Sequence, residues 1–197
     1  MTHVSPDHIA ADEGPNLKDP VLAGCLGWLV PGLGHLYQGR WAKGILFLLC
    51  ILGTFSFGLY EGGGRVVYAS LRPNDRRLAY LCQIGVGLPA LPALVQAQRF
   101  RSNTLREQVQ KRARIGQARF FDWFMVPPEV SDDPRQEEPD ELDDLHRQLH
   151  RFFELGTVYT MIAGLLNVLA IYDACGGPAF ADEEADERRR EEKSEEA

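Results

Sequence analysis

Four ionisable side chains stand at the edges of long apolar stretches: His35, Glu61, Glu154 and Asp173. A carboxylate beside an imidazole can take and return a substrate proton, so these four are the candidates for acid–base chemistry. Their order along the chain works against it. If each apolar stretch crosses a membrane in turn, Glu61 and Asp173 emerge on one side and His35 and Glu154 on the other. There is no G-x-S-x-G, H-E-x-x-H or Walker loop. Glu61 to Arg65 holds three glycines, yet it lacks the preceding strand and the following Gly-Lys-Ser/Thr that a phosphate cradle needs. His35 has no histidine four residues on and no sequence neighbour able to share a metal. Cys25, Cys50, Cys82 and Cys175 lie far apart with no C-x-x-C and read as small apolar residues. No catalytic, cofactor or metal residue is assigned, and the chain reads as non-enzymatic.

Passage of a solute is the other chemistry to weigh. It needs polar groups at depth, and the candidates are Gln83, Thr54, Ser56, Thr160 and Asn167. Uncharged groups can line a path, but more commonly they bond one helix to another. Two readings therefore stay open. One is a non-catalytic helix-packing scaffold or interaction protein. The alternative is a small transporter or channel subunit with its path near Gln83, Thr160 and Asn167. For packing, Gly156, Thr160 and Gly164 recur at four-residue steps with Asn167 three further on, while Gly32 and Gly34 admit a close backbone near the start.

These positions need helices to hold them. The average composition, 45% hydrophobic and 25% charged with a net charge of -7, hides a segregated chain. Val21 to Tyr37, Gly44 to Tyr60, Leu78 to Ala97 and Leu155 to Tyr172 contain no Asp, Glu, Lys or Arg, and each is near the length a helix needs to cross a bilayer. The second is apolar on every side, where a soluble helix would show a polar stripe. The predicted fold is an all-α integral membrane protein with four transmembrane helices: a hairpin over 21–60, a short exposed loop over 61–77, a third span over 78–97 and a fourth over 155–172. The first stretch is not a signal peptide, because polar, acidic residues precede it. Residues 1–20 and 173–197 read as disordered charged tails, with Asp19-Pro20 as a helix start. Pro31 should free the carbonyl of Gly27 and kink or loosen the first span; Pro89 and Pro92 should free those of Gly85 and Leu88, which suits either a bent packing helix, the commoner outcome, or a discontinuous one beside a solute.

Between the first two spans, Gln38 to Lys43 is a tight turn, with His35, Tyr37, Arg40, Trp41 and Lys43 at the water boundary. Residues 98–126 form a basic juxtamembrane helix ended by Pro127-Pro128. Its Arg99, Arg101, Arg106, Lys111, Arg112, Arg114 and Arg119 suit anionic lipid headgroups, and Phe120, Phe121, Trp123 and Phe124 suit an interfacial anchor. Residues 127–154 are an acidic linker and an amphipathic lead-in with Leu142, Leu145, Leu149, Phe152 and Phe153 on one face. The implied partners are the bilayer, its anionic headgroups, and either a second copy or other membrane proteins; no fold for nucleic acid is present. Counting Lys and Arg near the spans puts the 38–43 turn and the 98–154 loop together in the cytoplasm, both termini outside, and a cysteine at Ser70 but not at Ser131 within reach of an external reagent.

The phrase "PGLGHLYQGRWAKGILF" between two apolar runs resembles the hairpin of the two-transmembrane (TM-2 type) domain family over about residues 22 to 60. Gly34, His35, Tyr37 and Gly39 meet its G-x-H-x-F/Y-x-G pattern with changed spacing, and the Asp-Arg-Phe turn of animal members is absent, which argues against a receptor-like signalling role. "QIGVGLPALPALVQ" and "ELGTVYTMIAGLLNVLAIYDACGGP" resemble a longer bacterial family of unknown function that appends these segments to such a hairpin. That resemblance, over most of residues 20 to 178, implies a multi-pass protein of the bacterial cytoplasmic membrane and brings no activity.

Overall fold

In a computed structural model, described for residues 18–72, 75–129 and 141–176, the chain is helical apart from a two-residue antiparallel pair, Leu71–Arg72 (β1) with Asp75–Arg76 (β2). The helices are α1 (Pro20–Leu29), α2 (Leu33–Tyr37), α3 (Trp41–Glu61), α4 (Leu78–Gln83), α5 (Leu91–Arg99), α6 (Asn103–Arg114), α7 (Glu141–Leu149) and α8 (Arg151–Gly176). Single 3-10 turns cover Ile84–Val86, Leu88–Ala90 and Phe120–Asp122. Most of the two predicted charged tails and the acidic stretch 130–140 lie outside the described residues.

Among the described residues only α3 and α8 are long and apolar enough to cross a membrane, so the expected four spans become two candidates. The 21 residues of α3 rise about 31 Å, close to the thickness of a hydrocarbon core. The two helices run antiparallel. At one end Arg40, just before α3, reaches Asp173 near the close of α8; at the other, Gly58 and Gly62 lie against Gly156. These are the Asp173 end and the Gly62 end below.

The first and third apolar windows do not cross: each is broken and turns back. Asp19 caps α1 as the sequence predicts, its Oδ1 accepting from the N–H of Val21 (2.9 Å) and of Leu22 (3.3 Å). The helix stops at Leu29 because Pro31 has no N–H to give and its ring excludes the carbonyl four residues back. Val30 is extended, and Gly32, at φ 85°, reverses the chain through a backbone region that carries no steric cost only for glycine. Then α2 returns beside α1. The Lys18 N–H donates to Gln38 Oε1 (3.0 Å), Gln38 Nε2 donates to the Lys18 carbonyl (3.1 Å), and Lys18 Nζ donates to the Tyr37 carbonyl (3.0 Å). Entrance and exit thus share the Asp173 end, and the expected two-span hairpin over 21–60 is one helix of crossing length preceded by a helical hairpin.

The second hairpin mirrors it from the other end. It starts at Arg77, which donates to Thr157 Oγ1 (2.9 Å) in the second turn of α8, and it reverses at Gly87 (φ 83°). The return arm α5 arrives where Gln96 Nε2 donates to the carbonyls of Phe121 (2.8 Å) and Phe124 (3.0 Å). The Met125 N–H next to that turn donates to the Gly64 carbonyl (2.8 Å), which fixes α5 at the Gly62 end. Pro89 and Pro92 therefore accompany a reversal and not a bend.

Three further expectations change. The loop expected to be exposed is buried at its centre: Val66, Val67 and Tyr68 are fully buried beneath α7 and the Phe124–Met125 turn, and Arg65 pairs with Glu141. The basic helix is not continuous to Pro127; α6 ends at Arg114, Gly116 follows at φ 71°, and Phe120, Phe121, Trp123 and Phe124 fold into a mutual ring cluster. The 38–43 turn and the described part of the 98–154 segment, expected on one side, stand at opposite ends of α3, because each broken window returns to the end it started from. Ser70 sits at the Gly62 end with α5, and Ser131 is outside the described residues.

Candidate functional site

The two hairpin tips meet on α8 at Asn167, a fully buried side chain. Its Nδ2 donates to the carbonyl of Gly27 (3.1 Å) and to that of Gly85 (2.9 Å). These are the carbonyls that Pro31 and Pro89 leave without a helical partner. An unpaired carbonyl away from water costs about 1–3 kcal/mol, so one amide that serves two is a strong local constraint. The Leu88 carbonyl, freed by Pro92, takes the N–H of Leu91 instead. Directly beside this, Gly87 lies so close to the Trp28 carbonyl that a side chain there would collide with it.

Two turns along α8, Gln83 Nε2 donates to Thr160 Oγ1 (2.8 Å) and to the Val66 carbonyl (3.2 Å). Thr160 in turn donates to its own helix at the Gly156 carbonyl (2.9 Å). Gln83, Thr160 and Asn167, the residues weighed as a solute path, are all fully buried and bonded to protein. Thr54 donates to the Cys50 carbonyl (2.7 Å) within α3, and Ser56 is exposed on that helix, apart from this layer. Small residues bring the backbones together: Gly156 against Gly58 and Gly62, Gly164 against Cys82, Gly32 against Gly44 and Leu48, and Gly34 against Ala23.

At the Asp173 end, charge converges on one carboxylate. Asp173 Oδ2 lies 3.2 Å from Arg40 Nη2, 3.5 Å from Lys43 Nζ and 3.6 Å from His35 Nε2, and Arg40 Nη1 donates to the Asp173 carbonyl (3.1 Å). The expected separation of His35 from Asp173 is overturned by the first hairpin, which brings His35 back to its starting end; Glu61 and Glu154 lie at the other. His35 is 1% exposed and stacked on Phe47 at 4.8 Å, so it is not at the water boundary, while Trp41 is 65% exposed there. The cluster pins the start of α3 to the end of α8.

Among the basic residues expected at headgroups, two turn inward. Arg106 is buried, donates through Nε to the Phe100 carbonyl (2.9 Å) and lies over the Phe100 ring; Arg112 pairs with buried Asp122 (2.9 Å). Arg99, Arg101, Lys111, Arg114 and Arg119 are exposed. Arg77, which the sequence marked only by charge, is held in the Gly62-end cap between the rings of Tyr68 (4.5 Å) and Phe153 (5.2 Å). Nothing local in the sequence signals that role; for Gly27 and Gly85 the signal was a proline four residues on. Among the described residues no three His, Cys, Asp or Glu gather as metal ligands, and the four cysteines are free.

A model of a family of unknown function (DUF6677) matches residues 22–187. That span covers both hairpins, α3 and α8, and it supports the longer uncharacterised family, not the TM-2 type hairpin or a bacterial source. No curated protein and no solved structure matches the chain.

Proposed function

The chain belongs to this family of unknown function, and we propose, from the arrangement of its helices, that it is a non-catalytic integral membrane scaffold in which α3 and α8 cross the bilayer and two re-entrant hairpins enter from opposite faces. The observation that carries it is the outward surface of the two crossing-length helices. Leu46, Leu49 (66% exposed), Val168 and Leu169 (65% exposed) all point away from the protein. In water this would be a large apolar patch of the kind that marks an interaction site, whereas lipid tails cover it without cost. The buried bonds at the hairpin tips fit the same solvent, since irregular backbone survives at membrane depth only when its polar groups are satisfied by protein.

The cap built from the 62–70 loop, α6, α7 and the Phe120–Phe124 cluster is then the part offered to anionic headgroups and to partner proteins. Arg65, Arg77, Arg99, Arg101, Lys111, Arg114, Arg119, Arg147 and Arg151 lie at that Gly62 end, against Lys18, Arg40 and Lys43 at the other. An excess of Lys and Arg faces the cytoplasm, so the cap is cytoplasmic and the 38–43 turn is outside. The transporter reading draws on the opposed hairpin tips, an arrangement that suits a solute site. For a path to open, Asn167, Gln83 and Thr160 would have to release their present bonds; solute flux in liposomes that is lost on substituting Asn167 would favour it over the scaffold.

Two measurements test the scaffold in its membrane. After high salt and alkaline carbonate the protein is expected to stay in the membrane pellet, and its appearance in the supernatant would end the integral reading. With Cys25, Cys50, Cys82 and Cys175 replaced, a membrane-impermeant thiol reagent on intact cells or spheroplasts is expected to label Ala42→Cys and spare Ala113→Cys. Equal labelling of the two would put them on one side and restore four crossings.

A further inference from the structure

We propose that the cleft between the two arms of the second hairpin holds an acyl chain of an anionic phospholipid from the cytoplasmic leaflet, with its headgroup at Arg101. This rests on the re-entrant placement of α4 and α5. The arms splay apart around a cavity of about 540 Å³ lined by Ala69, Ser70, Leu78, Leu81, Ile84 and Leu94. Ala69, Ser70 and Leu94 also line a second cavity of about 290 Å³ that continues to Gln98, Arg101 and Arg106. The two form one groove, apolar at depth and basic at its mouth, within the size range of small-molecule sites.

Two polar side chains also line the wider cavity. Tyr80 turns its hydroxyl to the Ala90 carbonyl (2.9 Å), and Arg77, at the Gly62 end, donates through Nη2 to the Val66 carbonyl (3.1 Å) and to Thr157 Oγ1 (2.9 Å). What remains is an aliphatic wall. At the mouth, Arg106 is held by Phe100, but Arg101 is exposed and its side chain makes no ion pair or hydrogen bond among the described residues. No acidic side chain is among the described residues lining either cavity, so the site favours a negative group over a zwitterion. Arg101 follows two residues after the end of α5, the helix that carries Leu94, so a headgroup at Arg101 stands at the surface end of a chain lying against Leu94.

The test is native mass spectrometry of the full chain with phosphatidylglycerol or with phosphatidylcholine of the same chain length. Phosphatidylglycerol is expected to be retained about fivefold better, and Arg101→Gln to bring it down to the phosphatidylcholine level, the change expected for one basic side chain near a headgroup. Leu94→Trp, which fills the junction of the two cavities, should remove both lipids, whereas Leu169→Trp on the outward face of α8 should remove neither. A phosphatidylglycerol with a photoreactive group in its chain should mark Leu81 and Leu94 in the wild-type protein, which keeps the proposal testable if Leu94→Trp does not fold. Equal retention of the two lipids, or marking spread evenly over Leu165, Leu169 and α4, would overturn it. A protein that stays in the carbonate pellet yet shows no lipid preference would sink this proposal alone.

Discussion

Leucine at position 164 is expected to destabilise the protein by about 4 kcal/mol or more, in the tail reserved for point mutations that break packing outright. A Cβ at Gly164 would fall on the Cys82 carbonyl oxygen, with the carbonyl carbon at 3.0 Å and Gln83 Cα at 3.3 Å. These are backbone atoms and cannot rotate away as a side chain would. The whole of α4 would have to lift from α8, breaking the bond from Gln83 to Thr160 and that from Asn167 to Gly85. Overpacking against movable side chains typically costs only about 1–3 kcal/mol, so the excess measures the shared hydrogen bonds. Unfolding in detergent, followed by circular dichroism, should set this variant well below Leu169→Ala and Gly53→Ala; an added Cβ at Gly53 meets nothing within 4 Å. If Gly164→Leu unfolds with Gly53→Ala, α4 does not lie on α8.

Asn167→Leu is the second large effect. The side chains are similar in size, so the change removes the donors with little cavity, and it leaves the carbonyls of Gly27 and Gly85 buried without partners. At about 1–3 kcal/mol for each, the loss is roughly 2–6 kcal/mol in all. Asn167→Asp should be no better, since a carboxylate cannot donate and would meet both carbonyls with charge. The damage should be local before it is global: amide hydrogen exchange should rise at Trp28 to Leu33 and at Gly85 to Leu91 while the centre of α3 keeps its protection. Unchanged exchange at both tips would mean that Asn167 does not hold them.

How much of this the sequence carried can be judged at the same residues. The apolar windows are plain, and α3 and α8 follow from length and hydropathy alone. Pro31 and Pro89 were correctly seen to free the carbonyls of Gly27 and Gly85, and Asn167 stood out as a polar residue on a small-residue face. What could not be read was their meeting. A proline with a glycine one or two residues away in an apolar run fits a kinked span as well as a reversal, and the difference lies in whether a distant donor stabilises the exposed backbone. Residues 82 and 140 positions apart supply that answer here, beyond the reach of any local pattern. The error in side followed directly: reading two reversals as crossings moved His35 away from Asp173 and put the 38–43 turn beside the basic segment. The inward turn of Arg106 and Arg112 was hidden for another reason, since composition does not tell a guanidinium facing a phenyl ring or a buried carboxylate from one facing lipid.

The span of 140 residues between Gly27 and Asn167 also sets an order in time. A ribosome makes the first hairpin early and the residue that fastens it last, and at about 5–20 residues per second the interval is on the order of ten seconds. Through that interval the Gly27 carbonyl has no permanent partner, and the same holds for Gly85 over 82 residues of synthesis. In the membrane arrangement proposed above, both hairpins wait at the bilayer surface or against α3 until α8 enters and closes them together. A nascent chain halted before Arg151 should consequently be recognised and degraded as unfinished, even though α3 is already complete.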